Sequence, residues 1–164
     1  MQTQRGFTLV ELMITVIVLA VVAGIAYPSL QWTIARSTTS SDVNRLISDL
    51  AFARSEAVQR GLTVTLTPEQ GNWSSGWQIT DENAELLRET SALGGQAVTS
   101  GAGGQGSGPD SITFTSMGRV DSGSQIIRYQ HREENPLIDA REIRVSRMGQ
   151  ASVCTTDNSG SCWD

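Results

Sequence analysis

Few side chains of this chain fall into a pattern that could do chemistry. The single histidine, His131, is followed by Arg132-Glu133-Glu134-Asn135-Pro136, a solvated turn composition. No nucleophile stands in a recognisable relation to it. Glu133 and Glu134 are adjacent, so on a strand they face opposite ways and make no obvious acid/base pair. Zinc or redox chemistry would need more ligands than two cysteines and one histidine, or a Cys-x-x-Cys. Asp157, Asn158 and Asp164 carry oxygens of the kind Ca²⁺ takes, but their spacing matches no calcium-loop motif. Residues 94–108 contain seven glycines, yet lack the Gly-Lys-Ser/Thr ending of a phosphate cradle, and the chain has no lysine at all. That stretch reads as a flexible loop or hairpin tip. Catalytic, cofactor-binding and metal-binding residues are therefore expected to be absent, and an enzyme is the least favoured reading.

The remaining outlier is Glu11. It is the only charge between Phe7 and Tyr27, an apolar run of 21 residues. At about 1.5 Å per residue such a helix spans roughly 30 Å, the thickness of a bilayer core. A buried soluble helix is disfavoured because the run is apolar on all faces. A secretory signal peptide would have a shorter core and an Ala-x-Ala-like site behind it. A retained membrane span is favoured. Arg5 precedes it, which places residues 1–6 in the cytoplasm and sends the C-terminal part across the membrane. A carboxylate within such a span costs about 2.5–3.5 kcal/mol and is functional by default. The bland alternative is a tolerated, snorkelling residue. The functional one is that Glu11 meets a buried positive charge of a partner. A cut between Gly6 and Phe7 would create a free amine four residues before it.

The stretch Arg5-Gly6-Phe7-Thr8-Leu9-Val10-Glu11-Leu12-Met13 resembles the cleavage signature of type IV pilins and type II secretion pseudopilins. The resemblance implies that prepilin peptidase cuts after Gly6 and methylates the amine of Phe7. It further implies that Glu11 registers the subunit against the Phe7 amine of a neighbour, and that Pro28 kinks the helix.

The positioning elements follow from periodicity. Val43, Leu46, Ile47, Leu50, Ala53, Ala57 and Val58 recur at three- and four-residue steps, as on one face of a helix. Arg45/Asp49 and Glu56/Arg60 are expected as pairs on the opposite, solvated face. Gly61 is suited to end the helix, and Ser37-Thr38-Thr39-Ser40-Ser41 is a point where it is expected to fray or bend. Beyond it, Leu62–Thr67, Trp77–Thr80, Ile112–Thr115, Gln125–Tyr129 and Arg141–Ser146 alternate as strands. Several pieces resemble the GspH/FimT family: Leu50–Gly61, Asn72-Trp73-Ser74-Ser75-Gly76-Trp77, Ile112-Thr113-Phe114 with Gly118-Arg119, and Ile143–Gly149. The expected class is α+β, a pilin fold, with a long N-terminal helix packed on an antiparallel β-sheet or β-sandwich head. Its expected divisions are a leader (1–6), a membrane or filament-core helix (7–28), an amphipathic stem (29–60) and a periplasmic head (61–164).

Cys154 and Cys162 enclose a turn composition and are expected as a disulfide in an oxidising periplasm. The net charge is −5, and residues 61–118 hold only Arg88 against six acids. Such a chain is not a general nucleic-acid coat. Arg141, Arg144 and Arg147 are candidate contacts to DNA or to a partner. Local charge over 140–164 is balanced and no Arg follows Gly149, so DNA is not favoured. The leading expectation is a minor subunit of a type IV pilus or type II secretion pseudopilus. Its expected partners are prepilin peptidase, other major and minor pilins or pseudopilins, and an inner-membrane assembly platform. Its expected location is the inner membrane, single-pass with the head periplasmic, and then the filament. The alternative is a pilus-tip DNA-binding minor pilin for DNA uptake.

Overall fold

The computed structural model describes residues 7–94, 98–100, 110–130 and 140–156, with side chains at all of these but 25–32, 98–100, 130 and 156. One helix, α1, spans Leu9–Arg60, 52 residues. Thr8 starts it, because its Oγ1 accepts the Glu11 backbone N–H at 3.2 Å and so satisfies an orphan donor of the first turn. Gly61 ends it at φ 69°. The Gly61 N–H closes back on the Ala57 carbonyl at 3.0 Å, and a side chain at that φ would be strained.

The chain divides into two compact units, Met1–Arg36 and Ser37–Asp164. In the first, the apolar side chains from Leu9 to Val22 stand exposed on every side of α1. The run expected as a membrane span, 7–28, falls here. Among the described residues no helix is long and apolar enough to cross a membrane. The side chains at 25–32 lie outside that description, and the backbone of α1 stays helical through Pro28.

The second unit is built from the C-terminal part of α1 and two antiparallel sheets. The first sheet holds β1 (Val64–Pro68), β2 (Gly76–Asp81), β3 (Leu86–Ser91) and β5 (Ile112–Phe114), in the order β3-β2-β1-β5. The second holds β4 (Val98–Ser100), β6 (Gln125–Gln130), β7 (Ala140–Val145) and β8 (Ala151–Thr156), in the order β4-β6-β7-β8. Period-two alternation places Val64 and Leu66 of β1, Ile112 and Phe114 of β5, and Ile143 and Val145 of β7 inward. They join Val43, Leu46, Leu50, Ala53 and Ala57 of α1 in a single core with Trp73 and Trp77. The α+β pilin fold is as expected.

Several expectations are corrected. Ser37–Ser41 is helical, not frayed. Thr39 is buried, and tertiary packing outweighs the weak intrinsic propensity of such residues. Val58 is 53% exposed, because it follows Ala57 by 100° around the helix and leaves the buried stripe. Strands β3, β4 and β8 were not legible. β4 lies in the glycine-rich stretch, and β3 and β8 are sheet edges whose exposed faces carry little alternation. Residues 95–97, 101–109 and 131–139 lie outside the described residues, and His131, Glu133 and Glu134 with them.

Candidate functional site

Gly6 lies outside the described residues. Phe7 is 77% exposed, and Glu11 sits exposed in the first turn of α1. A carboxylate there also faces the positive end of the helix dipole, which favours an anion. Thr8-Leu9-Val10-Glu11 has the Thr-x-x-Glu spacing of a capping box, a local use for Glu11 that the apolar context hides. Only the Thr8 half of that box is seen, through the hydrogen bond already described.

Two other carboxylates, Asp49 and Asp42, are buried, and for Asp49 this corrects the expected solvated face. Asp49 is 4% exposed and does not pair with Arg45. Its Oδ2 accepts the Trp77 indole N–H at 2.9 Å and the Thr90 hydroxyl at 2.7 Å. Its Oδ1 accepts Arg88 at 2.6 Å, and the Arg88 guanidinium lies 3.7 Å above the Phe52 ring centroid. Asp42, two turns earlier, accepts the Tyr129 hydroxyl at 2.9 Å. Burial first, and then this bond and the charge of Asp42, raise the Tyr129 pKa well above the ordinary phenol value. One helix face is thereby tied by Asp49 to the first sheet and by Asp42 to the second. The signal was present in the sequence: Asp42, Leu46, Asp49 and Ala53 follow the same three- and four-residue steps as the apolar stripe. The expected Glu56/Arg60 pair is formed at 2.8 Å, and Arg60 also reaches Glu85 and Asp81.

Arg141, Arg144 and Arg147 are not equivalent. Arg144 is bound to the buried Glu142 at 2.6 Å, and Arg128 approaches the same carboxylate at 3.2 Å. Burial raises the Glu142 pKa, but the Arg144 and Arg128 hydrogen bonds and charges outweigh it and hold Glu142 below the ordinary carboxylate value. Arg141 is half-buried in β7. Arg147 lies beyond the strand, in an exposed turn, and lines an open cavity of about 550 Å³ together with Arg119. No local pattern singles out Arg119, because it and Arg147 come to one cavity from turns far apart in sequence. Cys154 on β8 is disulfide-bonded, while Cys162, with Asp157, Asn158 and Asp164, lies outside the described residues. Among the described residues no cluster of metal-ligating side chains occurs.

Residues 42–149 match the family described as type II transport protein GspH, and residues 1–27 match the prokaryotic N-terminal methylation motif. The fimbrial protein Q of Moraxella bovis is 34% identical over 110 residues, covering 63% of this chain and 67% of that protein. The type IV major alpha-pilin of the same organism is 27% identical over 130 residues, covering 77% and 79%. In fold the chain is similar to the Pseudomonas aeruginosa type IV minor pilin FimU, with a TM-score of 0.61 at 18% identity over 79% of this chain and 95% of that one. The chain belongs to the type II transport protein GspH family of pilin-like proteins and carries the N-terminal methylation motif.

Proposed function

We propose that the chain is a minor structural subunit of a type IV pilus or type II secretion pseudopilus. The match of residues 1–27 to the methylation motif carries this reading. Prepilin peptidase cuts between Gly6 and Phe7 and methylates the new amine. The helix of 7–28 anchors the precursor in the inner membrane and later lies in the filament core. Glu11 pairs with the Phe7 amine of an adjoining subunit, an ion pair in a medium that makes an unpaired carboxylate costly. Residues 61–164 form the periplasmic head. The protein works by assembly with other pilins or pseudopilins on an inner-membrane platform, and catalyses nothing. The fimbrial name of the Moraxella relative and the minor-pilin name of the structural neighbour support the same reading. Intact-mass spectrometry of membrane-extracted protein tests it. The expected product starts at a methylated Phe7, and a chain beginning at Met1 or after Ala26 would overturn it.

A second reading, a DNA-binding minor pilin, has one observation in its favour. Among the described residues Arg147 and Arg119 have no ion-pair partner, and they line one cavity. Arg144 is occupied by Glu142, so three parallel phosphate contacts from 141, 144 and 147 are not favoured. A duplex-binding titration of the detergent-solubilised full chain separates the readings. DNA binding would weaken steeply with salt, and replacing Arg147 by Gln would reduce that slope by about one unit.

A further inference from the structure

The segments Ile112-Thr-Phe-Thr-Ser-Met-Gly-Arg-Val120 and Ile143-Arg-Val-Ser-Arg-Met-Gly-Gln-Ala151 repeat one pattern, at the ends of β5 and β7. They fold alike. The Gly118 N–H donates to the Thr115 carbonyl at 2.7 Å, and the Gly149 N–H to the Ser146 carbonyl at 2.8 Å. The Thr115 N–H closes on Arg119 at 2.8 Å, and the Ser146 N–H on Gln150 at 2.9 Å. Both glycines have positive φ, 72° and 75°. The twin turns belong to different sheets yet touch: a Cβ on Gly149 would collide with the Gly118 carbonyl oxygen. Arg54 of α1 locks the pair, donating from Nε to that same oxygen at 3.0 Å.

What this rigid platform presents is apolar and basic. Met117 is 80% exposed, Met148 58% and Val58 53%, and Val58 lies against Gly118. Single exposed apolar residues are ordinary, but here three surround one locked turn pair. Two of them are methionines, whose flexible thioethers suit a contact that must adapt. Arg119 and Arg147 flank them with no ion-pair partner among the described residues, and Asp121 is the sole acid lining the cavity between. The whole chain carries net charge −5, so this surface is opposite in sign to the rest.

We propose that the twin-turn surface receives a neighbouring subunit of the same fold, which docks through an acidic sheet edge. The complement exists on this chain. Strand β3 is an edge of its sheet, with Leu86 52% exposed, Glu82 and Glu89 exposed around it, and Glu85 exposed but paired with Arg60. A contact between two different surfaces of like-folded subunits is heterologous, and such contacts build open helical arrays when the rotation does not close. The proposal rests on the filament reading for its partner and adds the surface that the partner meets. Met contacts bury apolar area at the centre, while the two Arg side chains steer the approach and fix register.

A photo-crosslinking amino acid replacing Met148 in the full chain, expressed in its own cells, tests this. The expected result is a crosslink to an acidic edge segment of a pilin-like subunit, either another protein or a second copy, identified by peptide mass spectrometry. Arg119→Glu with Arg147→Glu should reduce crosslink yield and recovery in sheared filaments by at least about tenfold, since like charges then oppose each other. Cleavage after Gly6 and membrane recovery should be unchanged. Met117→Ser in the crosslinking chain should lower yield too, without altering charge. An unchanged yield in the charge-reversed variant, no crosslink, or a crosslink to DNA, lipid or a non-acidic segment would overturn the proposal. An Arg-dependent crosslink in a protein absent from sheared filaments would keep the contact and overturn the filament reading instead.

Discussion

Asp49 is a carboxylate taken out of water and compensated by three donors from one sheet. Its replacement by Ala strands two buried donors, Trp77 Nε1 and Thr90 Oγ1. At about 1–3 kcal/mol for each unsatisfied group, a loss of about 2–6 kcal/mol is expected. The urea midpoint of the purified chain checks this, and a midpoint equal to wild type would show the network to be dispensable. Glu142 gives a pH signature. Its folded pKa is held below the ordinary value of 4.5 by Arg144 and Arg128, against burial. Its contribution is therefore complete above that value and disappears as pH falls through the lower, folded value. Wild type should lose more stability between about pH 6 and pH 3 than Glu142→Gln, because only the former has this proton to take up. Parallel acid limbs in the two proteins would remove Glu142 from the account. Glu11→Val has the opposite logic. It eases insertion by removing the carboxylate penalty of a span, yet is expected to leave the subunit in the inner membrane. Normal recovery in sheared filaments would mean that Glu11 only caps the helix.

Among the elements, α1 carries two kinds of surface along one helix. From Leu9 to Val22 its apolar side chains are exposed, so this half cannot be explained by folding of the isolated chain. From Val43 to Ala57 one stripe is buried, and the same stripe includes the two aspartates. Leu50 is 1% exposed at the centre of that stripe. Leu50→Ala is expected to cost about 2–5 kcal/mol, the transfer term plus the cavity left behind. A loss below about 1 kcal/mol in a denaturant titration would show that the helix packs loosely there. The left-handed end at Gly61 and the Thr8 cap bound the helix through local hydrogen bonds.

At the level of the whole molecule, the two sheets and the helix share one core, and polar ties from α1 reach each sheet separately through Asp49 and Asp42. The disulfide at Cys154 sits on β8, an edge of the second sheet. Its expected partner is Cys162. Alkylation of the folded, non-reduced protein should label no thiol, and reduction should expose two. Labelling of both before reduction would exclude the bond. A loop of this size contributes about 2–3 kcal/mol in the chain-entropy picture.

The N-terminal methylation motif, the amphipathic part of the helix and the strands β1, β2, β5, β6 and β7 follow from local spacing. Each rests on a pattern of 3.6 or two residues, or on a short contiguous motif. Tertiary structure decided what depends on residues distant in sequence. The edge strands β3 and β8 exist because a neighbour pairs with them, and their own alternation is weak. Asp49 reads as a solvated charge because its donors Trp77 and Thr90 are 28 and 41 residues away, and the donor to Asp42, Tyr129, is 87 away. The three arginines of the 141–147 stretch look alike in sequence. Arg144 meets Glu142 two residues away on the same strand face, whereas strand pairing brings Arg128 to that carboxylate and the contact of the two turns sets Arg147 and Arg119 on one cavity.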